Sequence, residues 1–125
     1  MQGIGVREVR KVAYIAGPMR GYDLYNFPAF EDATLALQAR GYEVLSPAEH
    51  DISNGFDPRR PMEEQGFDLR EALKWDLNAV LSSDMIVVLP GWENSKGARA
   101  EAAVAMAAGI PLKTLEVALG EDVRA

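Results

Sequence analysis

Asp76 occupies a position where a charge is costly, and it is the first candidate for chemistry. It lies in the apolar stripe of a helix predicted over 68–82, three residues after Leu73 and four before Val80. A charged group that faces a core is unfavourable unless it is paired or points into a polar cavity. Asp76 is therefore either part of a functional site or a residue that caps a neighbouring loop.

Glu101 is the second carboxylate of this kind. It lies near the start of an alanine-rich helix predicted over 97–108, where small side chains allow close packing and would partly enclose a carboxylate. A helix N-terminus favours the ionised form, which is the form a nucleophile needs. Taken alone, Glu101 is explained more simply as a residue that complements the helix dipole.

Three turns follow predicted strands and are candidates for ligand binding. They span residues 17–21, 46–50 and 90–97, and the first and third contain glycines that lead toward helices. In an open α/β sheet, ligands bind beyond the carboxyl ends of the strands, and amides at a helix start favour an anion.

Several side chains in these turns could contact such a ligand. Trp92, Tyr22 and Met19 could sandwich a base, although Trp92 is equally well explained as a surface or dimer-contact aromatic. His50 is interpreted as a loop residue near the pocket rather than as a catalyst.

The elements that must position these residues alternate along the chain. Strands are predicted over 12–16, 42–45, 84–89 and 110–115, and helices begin after Asn26, at 68 and at 97. Alternating strands and helices predict βαβ units and a parallel sheet. The expected fold is α/β, a small doubly wound, flavodoxin- or Rossmann-like parallel sheet of four to five strands with helices on both faces.

Residues 46–67 do not follow this alternation and are predicted to form a long loop. They hold three prolines and two glycines, which favours either a floppy insertion or a flap over a site. The predicted organisation is a flexible segment over 1–10, a single domain over 11–116 and a tail over 117–125.

Composition excludes several classes of function. The 125 residues form one domain, and 13 Lys and Arg against 19 Asp and Glu give a net charge of −6. This charge disfavours binding to nucleic acid polymers or to an anionic membrane. There is no cysteine and only one histidine, so no metal and no cofactor is expected, and no G-x-G-x-x-G motif indicates a dinucleotide. Without a signal peptide or an apolar span, a cytoplasmic protein is expected.

Three segments together resemble the nucleoside 2-deoxyribosyltransferase superfamily. They are residues 14–21, Asp76 eight residues before Asp84, and residues 95–101. The similarity extends from about 12 to 115. It is closest to a small, often phage-encoded branch of uncharacterised members, and next to the 2′-deoxynucleoside 5′-monophosphate N-glycosidases.

This resemblance implies cofactor-free N-glycosidic cleavage or deoxyribosyl transfer on a 2′-deoxynucleoside or its 5′-monophosphate. It implies that Glu101, four residues after Gly97, is the nucleophile, that Asp76 is the general acid, and that Tyr14 hydrogen-bonds near the nucleophile. Members of this superfamily tend to form homo-oligomers, so a dimer or a larger assembly is expected.

The resemblance also implies a substrate-binding set. Its predicted members are Gly17, Pro18, Met19, Arg20, Ser95, Gly97 and Trp92. Ser95 and Arg20 match residues that contact a 5′-phosphate, whereas Pro18 replaces a serine of the monophosphate branch. Two alternatives remain: a nucleotide-sensing domain that has the pocket without turnover, and an interaction domain without a small ligand.

Overall fold

Four parallel strands form the sheet of the computed structural model, which describes residues 10–121. Their order is β2-β1-β3-β4, with bounds β1 (Val12–Ala16), β2 (Glu43–Leu45), β3 (Met85–Val88) and β4 (Leu112–Thr114). The predicted doubly wound α/β fold is confirmed, with four strands. Because the chain moves from β1 to β2 on one side and to β3 on the other, the strand order reverses between β1 and β3.

Five helices cover the sheet. They are α1 (Phe27–Ala39), α2 (Pro47–Ser53), α3 (Leu69–Leu81), α4 (Lys96–Ala107) and α5 (Leu115–Leu119). Side-chain caps fix the starts of α3 and α4, because Asp68 accepts a hydrogen bond from the Glu71 amide and Ser95 accepts one from the Ala98 amide. These caps satisfy amide groups that the first turn of a helix leaves without a partner.

Helix α1 begins directly after Asn26, as predicted. Asn26 is not a side-chain cap: it adopts a left-handed conformation with φ of 62°, and its Nδ2 atom donates a hydrogen bond to the Pro18 carbonyl at 2.9 Å. Asn26 therefore ties the loop after β1 to the start of α1.

Alternation along β1 separates the two layers of the core. Ala13 and Ile15 pack with α1 and α5, whereas Tyr14 and Ala16 face the opposite layer, which contains Val80 of α3 and Ala98 of α4. Successive strand side chains point to opposite faces of a sheet, so Tyr14 is directed toward α3 and α4.

The segment over 46–67 is not a loop throughout. It contains α2 and a short 3-10 turn (Met62–Glu64), and its Phe56 ring lies in the core, 8% exposed. The Phe56 ring contacts those of Tyr25 and Phe67 with centroids 5.5 and 5.4 Å apart. These ring contacts attach the segment to the core, so the segment is not a floppy insertion.

The chain after β4 also differs from the expected tail over 117–125. Residues 115–119 form α5, Ala118 is fully buried, and the Tyr42 hydroxyl donates a hydrogen bond to its carbonyl at 3.1 Å. The domain therefore extends through α5. Residues 1–9 of the predicted N-terminal segment, and residues 122–125, lie outside the described residues.

Candidate active site

Three predicted catalytic residues from three elements converge on one face of the sheet. Tyr14 comes from β1, Asp76 from the middle of α3 and Glu101 from α4, and α3 packs against α4. Tyr14 is 0% and Glu101 is 5% exposed. The three side chains lie beside β1 and β3, the two strands between which the strand order reverses.

Two polar atoms of this cluster have no hydrogen-bond partner among the described residues. The Tyr14 hydroxyl and one carboxylate oxygen of Asp76, Oδ1, are fully buried and have no partner of hydrogen-bond geometry among the described residues. Glu101 lies close enough to influence both groups, but its contacts with these two atoms are not formed hydrogen bonds. Buried polar atoms are rarely left unpaired, and catalytic hydrogen bonds often tighten only when substrate binds.

Burial and mutual repulsion set the protonation of the two carboxylates. Burial raises the pKa of Asp76 to about 6. Burial, followed by the charge of Asp76, raises the pKa of Glu101 to about 9. Because two neighbouring carboxylates with little access to water cannot both ionise readily, they titrate as a pair, and the pair holds one proton near neutral pH.

The start of α4 does little to favour an ionised Glu101. Since α4 begins at Lys96, Glu101 lies in its second turn, and the effect of the helix dipole falls off within the first. Burial outweighs the dipole at this position. Burial, with the charges of Glu101 and Asp76, also raises the pKa of Tyr14 well above its usual value, so its hydroxyl keeps its proton.

A third buried carboxylate, Asp51 of α2, was not among the sequence-predicted residues. It is 8% exposed, and burial, followed by the charge of Asp76, raises its pKa to about 7. Its charge in turn raises the pKa of Glu101 and of Tyr14. The sequence did contain a signal, because Ser46, Pro47 and Glu49 form a helix start that places Asp51 on the buried face of α2.

A cavity of about 630 Å³ lies between α2 and α3 beside the cluster. Asp51 and Trp75 line it, together with residues of the segment that follows α2. Asp76, Glu101 and Tyr14 do not line it. Asp51 connects the cavity with this cluster, because it lines the cavity and its pKa is raised by the charge of Asp76.

The turn after β1 holds four of the predicted substrate-binding residues. A Cβ on Gly17 would lie 2.9 Å from Leu89 Cβ, so only glycine allows the ends of β1 and β3 to approach this closely. Met19 packs into the layer of α1, away from the face that carries Tyr14. Arg20 is exposed, and its Nη2 atom lies 3.5 Å from Met62 Sδ. Pro18 packs against the Gly91 backbone.

The turn before α4 holds the other three. The Ser95 hydroxyl caps α4, accepting a hydrogen bond from the Ala98 amide at 3.2 Å, which leaves its own proton available to a ligand. A Cβ on Gly97 would meet no atom within 4 Å, so the protein itself does not require glycine there. Trp92 packs partly buried against the core on the Tyr14 side of the sheet.

His50 is a helical residue rather than a loop residue. It lies in α2 and stacks on Trp75, with ring centroids 3.9 Å apart and planes 8° apart. Burial lowers the pKa of His50, which favours the neutral ring. The stack joins α2 to α3 at the edge of the cavity.

The raised pKa values predict that stability falls as pH rises. Asp76, Asp51 and Glu101 have pKa values of about 6, 7 and 9 in the folded protein, against about 4 in an unfolded chain. Between these limits the folded protein binds more protons than the unfolded chain, so the free energy of unfolding decreases as pH rises. We expect a lower Tm at pH 8 than at pH 5 in thermal unfolding. Glu101→Gln should reduce this decrease, and the exposed control Glu31→Gln should leave it unchanged; an identical decrease in all three proteins would contradict the burial of a titrating Glu101.

The fold and site define a class of α/β protein in which a buried glutamate and a half-buried aspartate interact at the point where the strand order of a parallel sheet reverses. The chain belongs to the family described as a domain of unknown function (DUF4406), whose model matches residues 11–114. No functionally curated protein matches the sequence.

A solved structure shares this fold. It is a 2-deoxyribosyltransferase from the psychrotolerant bacterium Bacillus psychrosaccharolyticus, with a TM-score of 0.60, 20% sequence identity, and coverage of 82% of this chain and 70% of that chain. At this identity the likeness establishes the fold, and the fold is the one that the superfamily resemblance implies.

Two further features concern the described residues 10–121. None of their helices is both long and apolar enough to cross a bilayer. Within the same range, no group of three or more His, Cys, Asp or Glu side chains is arranged to hold a metal ion.

Proposed function

We propose that this protein cleaves the N-glycosidic bond of a 2′-deoxynucleoside or its 5′-monophosphate, with Glu101 as nucleophile and Asp76 as general acid. One observation carries the proposal: carboxylates from two different helices, the buried Glu101 and the half-buried Asp76, interact beside a tyrosine hydroxyl that has no hydrogen-bond partner among the described residues. Retaining glycosidases use two carboxylates in these two roles. The superfamily resemblance and the shared fold with a deoxyribosyltransferase support the same chemistry.

The reaction begins with attack on the sugar. A carboxylate oxygen of Glu101 forms a bond to C1′ while the bond from C1′ to the base nitrogen breaks, and its electron pair goes to the base. Asp76 donates its proton to the base, which leaves as a neutral heterocycle. Water or a second base then attacks C1′ of the glycosyl ester, the bond from C1′ to the Glu101 oxygen breaks, Glu101 leaves as a carboxylate, and Asp76 takes up the proton of the acceptor.

The proton must sit on Asp76 when this step begins. Burial raises the pKa of both carboxylates, so the pair carries a proton near neutral pH, and the bound substrate must favour its placement on Asp76. The developing positive charge at C1′ favours an ionised Glu101, and the electron-rich base nitrogen favours a protonated Asp76. Tyr14 keeps its own proton and can donate a hydrogen bond to the ionised Glu101 carboxylate.

The turns at the carboxyl ends of β1 and β3 would bind the rest of the substrate. For a 5′-monophosphate, the Ser95 hydroxyl and the amides at the start of α4 are the proposed phosphate ligands, with Arg20 as a cationic partner. The absence of a serine at Pro18 leaves the bare nucleoside as the second substrate class. The proposal also includes assembly into a homo-oligomer, as the superfamily resemblance implies, and a cytoplasmic location.

Release of free base tests the proposal. The purified protein is incubated with the four common 2′-deoxynucleosides, their 5′-monophosphates and the matching ribonucleosides, and free base is separated by chromatography. Base release from a deoxy substrate with little or none from its ribo counterpart supports the proposal. A second set with an added acceptor base separates transfer from hydrolysis. Binding of a nucleotide without base release from any substrate would favour the alternative, a nucleotide-sensing domain.

The shared proton predicts a bell-shaped dependence of kcat/KM on pH. With both carboxylates protonated there is no nucleophile, and with both ionised there is no acid. We therefore expect the profile to have apparent pKa values of about 6 and about 9, which belong to the pair. Initial rates from about pH 4.5 to 10 measure the profile. Rates that do not change across this range would contradict the one-proton mechanism.

A further inference from the structure

The carboxylate of Asp51 is a buried group to which the proposed reaction gives no role. Asp51 is 8% exposed, but its carboxylate oxygens are not among the fully enclosed, unpaired side-chain atoms of the described residues, which are the Tyr14 hydroxyl and Asp76 Oδ1. Burial disfavours a charged carboxylate, and one that still faces an opening is well placed to gain a hydrogen-bond donor from a ligand. Asp51 also lines the cavity of about 630 Å³ between α2 and α3, so a ligand in that cavity can reach it.

The cavity suits a planar, partly polar ligand. Its volume lies in the range of small-molecule sites. Phe56, Phe67 and Trp75 supply aromatic surfaces, and the Trp75 ring is held in place by its stack on His50. Flat aromatic side chains stack well on heterocycles.

Asp51 is the one buried carboxylate on this cavity among the described residues. Asp68 also lines it but is occupied as the cap of α3. Glu71 lines it as well, but it is exposed and lies 3.5 Å from the Lys74 ammonium. Because Asp76 and Asp51 interact electrostatically, a base that receives a proton from Asp76 would lie close to Asp51.

We propose that Asp51 is a specificity-determining residue, whose carboxylate accepts a hydrogen bond from an exocyclic amino group of the leaving base. The enzyme would then prefer an amino-bearing base to its oxo counterpart. This inference rests on the proposed N-glycosidic cleavage and identifies the class of base that the site takes.

The chemistry of a carboxylate gives this preference its direction. An ionised carboxylate only accepts hydrogen bonds, so it attracts an amino group and repels a carbonyl oxygen placed at the same position. An asparagine has both a donor and an acceptor, so it can serve either partner. Asp51→Asn should therefore remove the preference while preserving the shape of the side chain.

Matched pairs of substrates test the inference. Deoxyadenosine is compared with deoxyinosine, and deoxycytidine with deoxyuridine, each as nucleoside and as 5′-monophosphate, at about pH 8, above the Asp51 pKa of about 7. In Asp51→Asn we expect kcat/KM to fall about 10-fold or more for the amino members. The kcat/KM of the oxo members should not fall, because the repulsion is removed and the asparagine amide can donate to their carbonyl oxygen. Glu71→Gln, a neutralisation on the exposed wall of the same cavity, should leave the ratio unchanged.

Equal losses for both members of each pair would overturn the inference, because they indicate a general electrostatic or structural role for Asp51. An unchanged ratio would overturn it as well. A Tm of Asp51→Asn at or above that of the unsubstituted protein at the same pH shows that the variant is folded.

A binding measurement separates this inference from the proposed function. Titration calorimetry with free adenine and hypoxanthine needs no turnover: adenine should bind about 10-fold more weakly to Asp51→Asn, and hypoxanthine should not. If the unsubstituted protein releases no base, the proposed function fails, and this measurement still decides whether Asp51 recognises an amino group. Equal binding of adenine to both proteins would overturn the inference even if base release occurs.

Discussion

Replacing Glu101 with glutamine is expected to lower kcat for base release by at least about 100-fold, because an amide cannot form the bond to C1′. Glutamine preserves the size of the side chain in its closely packed position beneath the sheet, where Glu101 is 5% exposed. The loss should therefore reflect chemistry rather than altered packing. Initial rates of base release under saturating substrate measure it.

The variant carries its own test of folding. Because a buried carboxyl that titrates is replaced with a neutral group, Glu101→Gln should unfold at the same or a higher temperature than the unsubstituted protein at pH 8. Glu31→Gln, an exposed substitution of the same kind on α1, should retain full activity. Turnover of Glu101→Gln within a few-fold of the unsubstituted protein would show that another group attacks the sugar.

Asp76→Asn is expected to give the second large effect, a decrease in kcat of about 100-fold with little change in KM. Asparagine keeps the shape of the side chain and loses the proton that the leaving base requires. The loss should shrink for a substrate whose base leaves without protonation. Rates on a natural and on an activated deoxynucleoside, measured in parallel, give this comparison.

The Asp76→Leu variant distinguishes a catalytic role of Asp76 from that of an aspartate merely tolerated at the edge of the core. Asp76 is half-buried, with Oδ1 fully enclosed and unpaired, so leucine should stabilise the protein. We expect a stable protein that releases no base. A more stable and fully active leucine variant would remove Asp76 from the mechanism.

The placement of the candidate catalytic residues was predictable because it depends on local patterns. The apolar run of β1 and the alternation of its side chains direct Tyr14 toward the face that carries α3 and α4. Alanines bring α4 close to the sheet, and Glu101 is buried as expected. The apolar character of α3 does not guarantee burial along its whole length, since Leu69 at its start is 57% exposed.

Helix α2 and Asp51 were missed because prolines and glycines were taken to indicate a loop. Pro47 stands at the first turn of α2, where proline is favoured, and Ser46 caps the helix by accepting from the Glu49 amide. A serine followed three residues later by glutamate is a start signal in the sequence. The contact between α2 and α3, by contrast, depends on tertiary packing that no local pattern encodes.

The direction in which the pKa of Glu101 shifts could not be predicted from its position in a helix. The dipole of α4 favours a charged carboxylate, whereas burial and the neighbouring Asp76 oppose it, and these two effects dominate. Their size depends on how α3 packs against α4, and the sequence reports neither the depth of burial nor the distance between the two carboxylates.

The most direct test of the mechanism is to detect the deoxyribosyl ester on Glu101. Asp76→Asn should form the ester with an activated 2′-deoxynucleoside and then hydrolyse it slowly, because no group activates water. Trypsin cleaves after Arg99 and Lys113, and residues 100–113 contain Glu101 as their only acidic side chain. After an acid quench, mass spectrometry should find one deoxyribosyl group on this peptide, and none in the double variant with Glu101→Gln. Stoichiometric release of base with the peptide unmodified, or with the sugar on another residue, would contradict the assignment of Glu101 as the nucleophile.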